Sequence, residues 1–216
     1  MTSAQDFITG LSGAEGTFID PVTGDLLFST YGGGNQVIRV TGFGAPPVPT
    51  SVVSRKTHEA AGPFDIDLLS PTGIECRNGT PSGKDYTVIV TFADPVTLNG
   101  ALVTSIDNMA TADPPSVDSA TVTVNLHNVA NAQRINVILT NVDDGMRSGD
   151  VSVPMAVLVG DTTGNGVVNS SDISQTKSQS GRAVTAENFR ADVTVNGSLN
   201  SSDISLVKSR SGTALP

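Results

Sequence analysis

The 216-residue sequence has no tryptophan, two tyrosines and seven phenylalanines, so large aromatic anchors are few, both for a core and for stacking on a sugar ring. It has one cysteine, Cys76. That excludes an intrachain disulfide and any thiol-based metal site. Basic residues are scarce, with 12 Lys and Arg against 21 Asp and Glu and a formal net charge of −9. Phosphate-backbone binding needs clustered Lys and Arg, so nucleic acid is excluded as a partner. The same balance argues against an anionic membrane surface. No apolar run approaches the ~20 residues of a membrane-spanning helix, so membrane insertion is excluded too. The two histidines, His58 and His127, lie far apart in no ligand spacing and read as surface or turn residues. Cys76 reads as a small buried apolar side chain rather than a nucleophile. Asp65 and Asp67 share a strand face and read as solvated, not as the carboxylate pair of a glycosidase. Gly32-Gly33-Gly34 is followed by no Lys-Ser/Thr pair, and no G-x-S-x-G elbow is present. No catalytic residue is assigned, and the chain is expected not to be an enzyme.

What is present is turn residues, 22 Gly and 12 Pro, between short β-type runs. Residues 7–43 read as three or four short strands: Phe7–Leu11, Glu15–Asp20, Leu26–Tyr31 and Gln36–Val40, split by Pro21–Asp25 and Gly32–Asn35. The texture of Asp20-Pro21-Val22-Thr23-Gly24-Asp25-Leu26 followed by Val37-Ile38-Arg39-Val40 resembles one blade of a β-propeller. One blade cannot close a propeller. Residues 1–44 are therefore either a fragment of one or a sheet packed on the next domain, the fragment being preferred. The Met1–Asp6 start carries no export signal, although the Thr-, Ser-, Gly- and Asn-rich composition suits an extracellular protein. The chain is accordingly expected to be the C-terminal part of something longer. Ala45-Pro46-Pro47-Val48-Pro49 forms a Pro-rich extended linker over 45–49.

Residues 50–159 alternate at period two. The runs are Phe64–Leu68, Tyr86–Phe92, Ala120–Leu126, Arg134–Leu139 and Val151–Val159, separated by turn clusters. Five to eight strands with no helical period predict a mainly β chain built on an antiparallel β-sandwich. The run Val90-Thr91-Phe92-Ala93-Asp94-Pro95-Val96 resembles bacterial Ig-like domains of cell-surface proteins.

Residues 160–181 and 191–212 match at 14 of 22 positions at an offset of 31, so one small unit is present twice. Each copy has the layout of a twelve-residue calcium loop. In the first, positions 1, 3, 5, 7, 9 and 12 are Asp161, Thr163, Asn165, Val167, Asn169 and Asp172. In the second they are Asp192, Thr194, Asn196, Ser198, Asn200 and Asp203. Ca²⁺ takes six to eight oxygens at about 2.3–2.6 Å, and alternate positions wrap round it only if the chain turns sharply at position 6. Gly166 and Gly197 permit that turn. Position 7 offers a backbone carbonyl, which frees its side chain to vary. Position 8 is apolar in both copies (Val168, Leu199), which suits a strand bridge between the loops. A short helix follows each loop, with Ile173 and Thr176 matching Ile204 and Val207 on the inner face and Gly181 and Gly212 as caps.

Two copies of loop-then-helix with Asp at position 12 resemble the type I dockerin family over about 55 residues. The resemblance implies a calcium-folded, α-helical module over 160–216 with two Ca²⁺ sites, docking onto a cohesin. By the family pattern the partner face comprises Ser170, Ser171 and Lys177 in one copy and Ser201, Ser202 and Lys208 in the other. Carbohydrate would be met only indirectly, through the assembly so tethered. Position 3 departs from the family's Asp or Asn, being Thr163 and Thr194, and position 5 is Asn rather than Asp. Each loop thus brings two carboxylates, which predicts weak binding on the order of 10⁻⁵–10⁻³ M.

The acidity resides elsewhere: residues 1–44 carry −3, 45–159 carry −6 and 160–216 carry zero, so two Ca²⁺ would leave the module at +4. Val159 runs into Asp161 without a flexible linker, so sandwich and module are expected to pack together. The function expected is that of a secreted or cell-surface bacterial attachment protein. In one alternative the chain ends a polysaccharide-degrading or propeller protein. In another the calcium module only staples the sandwich.

Overall fold

The structure, a computed structural model, describes residues 13–22, 24–32, 34–40, 45–78 and 83–216. The expected strand Phe7–Leu11 and the start before it lie outside these residues, as do Thr23 and Gly33 within the two expected turns. The first three strands, β1 (Ala14–Ile19), β2 (Leu26–Thr30) and β3 (Val37–Val40), form an antiparallel meander. Asp25 is buried beneath it and pairs with Arg39, Nε to Oδ2, at 2.6 Å. Phe18, Ile19, Tyr31 and Val37 of this segment are exposed.

The segment 45–49 has no regular secondary structure. Ten strands follow, where the periodicity predicts five to eight. They are β4 (Ser51–Thr57), β5 (Pro63–Asp67), β6 (Ile74–Glu75), β7 (Tyr86–Thr91), β8 (Gly100–Thr104), β9 (Thr111–Ala112), β10 (Ser116–Asp118), β11 (Thr121–His127), β12 (Gln133–Asp143) and β13 (Ser148–Val157). The surplus is mainly strands of two or three residues, too short to show a period. One sheet runs β10-β11-β7-β4-β5, with β9 also on β11; the other runs β6-β13-β12-β8. Every pair is antiparallel except β6 with β13.

Alternation explains why the two sheets stack. In β7 the side chains of Tyr86, Val88 and Val90 are buried, and in β11 those of Val122, Val124 and Leu126. Facing them from the other sheet are Ile135, Val137 and Leu139 of β12 and Val151, Val153 and Met155 of β13, all in the same core cluster. Each such side chain contributes about 1.5–3 kcal/mol through its removal from water. The hairpin between β12 and β13 turns at Asp144, whose Oδ1 accepts the N–H of Met146 (2.9 Å) and of Arg147 (2.7 Å).

A sharp bend at residues 68–73 delivers β6 to its place beside β13. Gly73 sits so tightly there that a Cβ would collide with the Asp67 carbonyl and lie 2.8 Å from that of Ser70. Gly73→Ala is therefore expected to destabilise the fold by about 1–3 kcal/mol in urea unfolding, since the crowding atoms are backbone.

The last segment holds two helices, α1 (Ser170–Gln179) and α2 (Ser201–Arg210), with a 3₁₀ turn at Phe189–Ala191 between them. They sit where the duplicated helices are expected, after a mainly β chain. Thr176 and Val207 are buried, while Ile173 and Ile204 are half-buried. A second, smaller core joins Ile74, Ala156 and Leu158 of the β part to Val168, Val193 and Val207. Backbone bonds cross the same boundary: Gly160 N–H to Cys76 O (2.8 Å) and Asn78 N–H to Val193 O (2.7 Å).

Candidate metal centre and docking face

Asp161 is fully buried at the head of the first loop. Its Oδ1 accepts the N–H of Gly164 (2.9 Å) and Asn165 (3.1 Å), and its Oδ2 that of Gly166 (2.8 Å). Asp172, equally buried, returns from the first turn of α1. Its Oδ1 accepts the N–H (3.0 Å) and hydroxyl (2.9 Å) of Thr163, and its Oδ2 the N–H of Asn169 (2.8 Å). The Thr163 hydroxyl also lies 3.3 Å from Asp161 Oδ1, so one hydroxyl stands between the two carboxylates.

The second loop repeats the pattern. Asp192 Oδ1 accepts from Asn196 N–H (3.1 Å) and Oδ2 from Gly197 N–H (2.9 Å). Asp203 Oδ1 accepts the N–H (3.1 Å) and hydroxyl (2.8 Å) of Thr194, and Oδ2 the N–H of Asn200 (3.0 Å). Gly166 and Gly197 take φ of 84° and 72°, the left-handed turn expected at position 6. Position 4 is left-handed as well, with Gly164 at 73° and Val195 at 59°. A β-branched residue there is strained, and Val195 is held by its burial.

The remaining polar positions serve the backbone. Asn165 and Asn196 accept the N–H of Val167 and Ser198, each at 3.0 Å. Asn169 and Asn200 cap the helices through Ser171 N–H (2.8 Å) and Ser202 N–H (2.7 Å), and Asp172 and Asp203 complete the capping boxes. The helix start and the loop end are thus one device.

The apolar position 8 behaves differently from expectation. Val168 and Leu199 do not bridge each other; each loop is clamped by the segment after the other copy's helix. Val168 N–H bonds to Thr213 O and Gly212 N–H to Val168 O, each at 2.9 Å, while Gly181 N–H bonds to Leu199 O at 2.8 Å. Val167 forms a bridge with Ala214. Gly181 and Gly212, at φ 81° and 91°, turn the chain into these clamps.

Each loop therefore buries two carboxylates, held by backbone N–H groups and a threonine hydroxyl, with an Asn side chain at positions 5 and 9. Uncompensated buried charge costs several kcal/mol. An oxygen-only set of this kind fits a hard divalent cation such as Ca²⁺. In the second loop, burial pushes the Asp203 carboxyl above its ordinary range, and the neighbouring Asp192 charge adds to the shift. Among the described residues there is no group of three or more His, Cys, Asp or Glu side chains that could hold a metal.

Residues 159–210 match the family model of the dockerin type I domain. The resemblance read from the repeat thus stands on an independent comparison. Dockerin domains are non-catalytic, bind calcium through EF-hand-like loops and dock onto cohesins, and the module is accordingly a calcium-binding, protein-docking one. No curated protein and no solved structure matches the chain. Among the described residues no helix is long and apolar enough to cross a membrane. On the dockerin helices, Ser170, Ser171 and Lys177 are exposed, and so are Ser201, Ser202 and Lys208.

Three groups lie at the base of the module, of which only His58 is singled out in the sequence. His58, expected at the surface or in a turn, lies in the turn after β4 but is fully buried there and reaches Asp192. Its ring is boxed by Phe64 and Phe189, at centroid distances of 5.3 and 6.2 Å. Arg190 donates to the carbonyls of Thr162 (3.0 Å), Asp161 (3.1 Å) and Ile74 (3.1 Å), tying the first loop to β6. Glu75 and Arg77 form a fully buried ion pair beneath both. No spacing connects these residues in the sequence: His58 and Asp192 are 134 positions apart. The other set-aside residues are as read. Cys76 is buried, and burial pushes its thiol up to about 11, far from a nucleophile's range. His127 is half-buried between Asp113 (3.0 Å) and Asp85 (3.2 Å), whose hydrogen bonds raise its pKa. Asp65 is exposed and pairs with Arg55 at 2.7 Å.

Proposed function

We propose that this chain is a non-catalytic, extracellular attachment protein whose two C-terminal loops each hold one Ca²⁺ and present a cohesin-binding face. The ligands would be Asp161, Thr163, Asn165, Val167 (carbonyl), Asn169 and Asp172, and Asp192, Thr194, Asn196, Ser198 (carbonyl), Asn200 and Asp203. The observation that carries the reading is the equivalence of the two copies: in each, the two Asp side chains are buried and the Ser-Ser-Lys set on the following helix is exposed. When bound, Ca²⁺ would supply the positive charge each loop lacks and so part of the module's folding energy. The near-twofold module then offers Ser170, Ser171 and Lys177 or Ser201, Ser202 and Lys208 to one partner.

The test is calorimetric binding to a panel of cohesins. Binding is expected in millimolar Ca²⁺ and not after chelation. Replacing either Ser-Ser-Lys set by alanine should leave binding nearly intact, and replacing both should abolish it. A second reading, a calcium staple for the sandwich, is favoured by the buried contacts of His58 and Arg190 with the loops. Failure of every cohesin in Ca²⁺, with calcium still raising the melting temperature, would select it.

A further inference from the structure

Two loops of near-identical sequence have different undersides. In the second, Asp192 Oδ2 accepts from Gly197 N–H and also from His58 Nδ1 at 2.8 Å. The other ring nitrogen, Nε2, lies 3.3 Å from Arg77 Nη1. A guanidinium only donates, so Nε2 must accept, which assigns the ring proton to Nδ1 and makes His58 a donor to Asp192. Arg77 is itself immobile. Its Nε and Nη2 donate to Glu75 Oε1 (2.9 Å) and Oε2 (2.8 Å), its Nη1 to Phe64 O (2.8 Å) and its Nη2 to Ser54 O (2.8 Å). Glu75 is held in turn by the Ser54 hydroxyl and the Arg77 N–H. The loop also rests on the backbone here, since a Cβ on Gly197 would lie 2.8 Å from His58 O.

The first loop also rests on backbone, since a Cβ on Gly164 would lie 2.9 Å from Thr72 O, but among the described residues no side chain of the sandwich donates to its carboxylate. Asp161 takes its bonds from within the loop, at Gly164, Asn165, Gly166 and Thr163. A Cβ on Gly166 would meet nothing within 4 Å.

We propose that His58 is a positioning residue for the second calcium loop, so that the sandwich completes one of the two sites and not the other. The chemistry is a matter of lone pairs. With Gly197 N–H and His58 Nδ1–H both on Oδ2, and Asn196 N–H on Oδ1, the carboxylate is oriented from the sandwich as well as from its own loop. Asp161 has a donor from its own loop in that place, Gly164 N–H on Oδ1, so among the described residues nothing in the sandwich orients its carboxylate. Outer-sphere partners of this kind typically change metal affinity by 10–100-fold.

This proposal rests on the calcium reading above, and the experiment separates the two. The full chain and its His58→Phe and His58→Asn variants are titrated with Ca²⁺, with the Gly166 and Gly197 amide resonances as separate reporters of each loop. Phenylalanine keeps the ring between Phe64 and Phe189 but removes the donor. Asparagine loses the ring but places an amide N–H at the Nδ1 position. With His58→Phe the Gly197 midpoint is expected to rise about 10–100-fold while the Gly166 midpoint stays put, and His58→Asn should restore most of the loss. Equal shifts of both midpoints, no shift, or no rescue by asparagine would overturn the proposal and leave the calcium reading standing. No calcium response in the wild-type chain would overturn both. Should His58→Phe fail to fold, nitrogen chemical shifts of the wild-type imidazole still decide. The Nδ1–H tautomer, moving in step with Gly197, is expected, and an Nε2–H tautomer would refute the assignment.

Discussion

Replacing Arg77 by methionine is expected to destabilise the protein by about 3–5 kcal/mol, read from urea unfolding at pH 7. The loss comes from what remains behind. Glu75 and Arg77 are both fully buried, and their side chains share two bonds of 2.8 and 2.9 Å. Without the guanidinium, the Glu75 carboxylate keeps only the Ser54 hydroxyl and the backbone N–H of residue 77 as hydrogen-bond donors, at a fully buried position. The double variant Glu75→Gln with Arg77→Met removes both charges and should recover much of the loss, since paired burial is often near neutral against uncharged packing. The acid dependence gives a second handle. Burial alone would push the Glu75 carboxyl up, but the Arg77 charge and hydrogen bonds outweigh it and hold it at about 2, below the ordinary 4.5. A depressed carboxyl stabilises the fold above its ordinary value, and the contribution is lost as the pH falls from about 4.5 toward 2. Wild type should therefore weaken across that window, and the gap to Arg77→Met should narrow. A gap that stays constant from pH 7 to pH 3 would show that the ion pair is not its source.

Chelation of calcium is expected to have an effect of the same size. At a free Ca²⁺ concentration 100-fold above the dissociation constant, each filled site stabilises the native state by about 2.7 kcal/mol, so two sites supply about twice that. With dissociation constants on the order of 10⁻⁵–10⁻³ M this requires about 1–100 mM calcium. The prediction extends beyond the module. Val193, Val168 and Val207 pack with Ile74, Ala156 and Leu158 in one small core. Calorimetry should therefore show residues 51–216 melting in one transition that moves down on adding chelator. Two transitions, of which only one responds, would mean that the shared core does not couple them.

Much of this was legible in the sequence because local pattern and burial agree. The strands β7, β11, β12 and β13 follow from alternation, since every second side chain enters the core cluster. The two loop-and-helix units follow from the repeat, since the turn at Gly166 or Gly197 and the cap at Asn169 or Asn200 are fixed by the path of each loop itself. What was not legible depends on partners remote in the chain. In β4 two of the inward positions are Ser54 and Lys56, which spoils the apolar alternation. They are tolerated because Ser54 meets Glu75 and because Lys56 Nζ bonds to Asp85 O at 2.8 Å over the Tyr86 ring. That burial lowers the Lys56 ammonium to about 8. β6, with two residues, has no period at all, yet its parallel pairing with β13 sets up the junction. His58 was misplaced for the same reason: a lone histidine among Lys56, Thr57 and Glu59 reads as solvated, and only the tertiary fold brings Phe64, Phe189 and Asp192 around it. The bridge at Val168 and Leu199 failed as an expectation because the family-like pattern says which residues extend, not which neighbour the topology supplies.

The eight consecutive residues from Met155 to Thr162 are all buried. A protease must draw an accessible stretch of backbone into its cleft, and exposed loops and tips are where nicking concentrates. The junction offers no such stretch, so the natural cut between strand and loop is closed to cleavage while the chain is folded. The same burial limits interchange. Residues 160–216 cannot be lifted out as a cassette without stripping Phe189 of Phe64 and Asp192 of His58, so a graft onto another carrier must bring the turn at 58–64 and β6 with it. Dockerin and carrier would then be inherited as a pair, and variation in one would constrain the other.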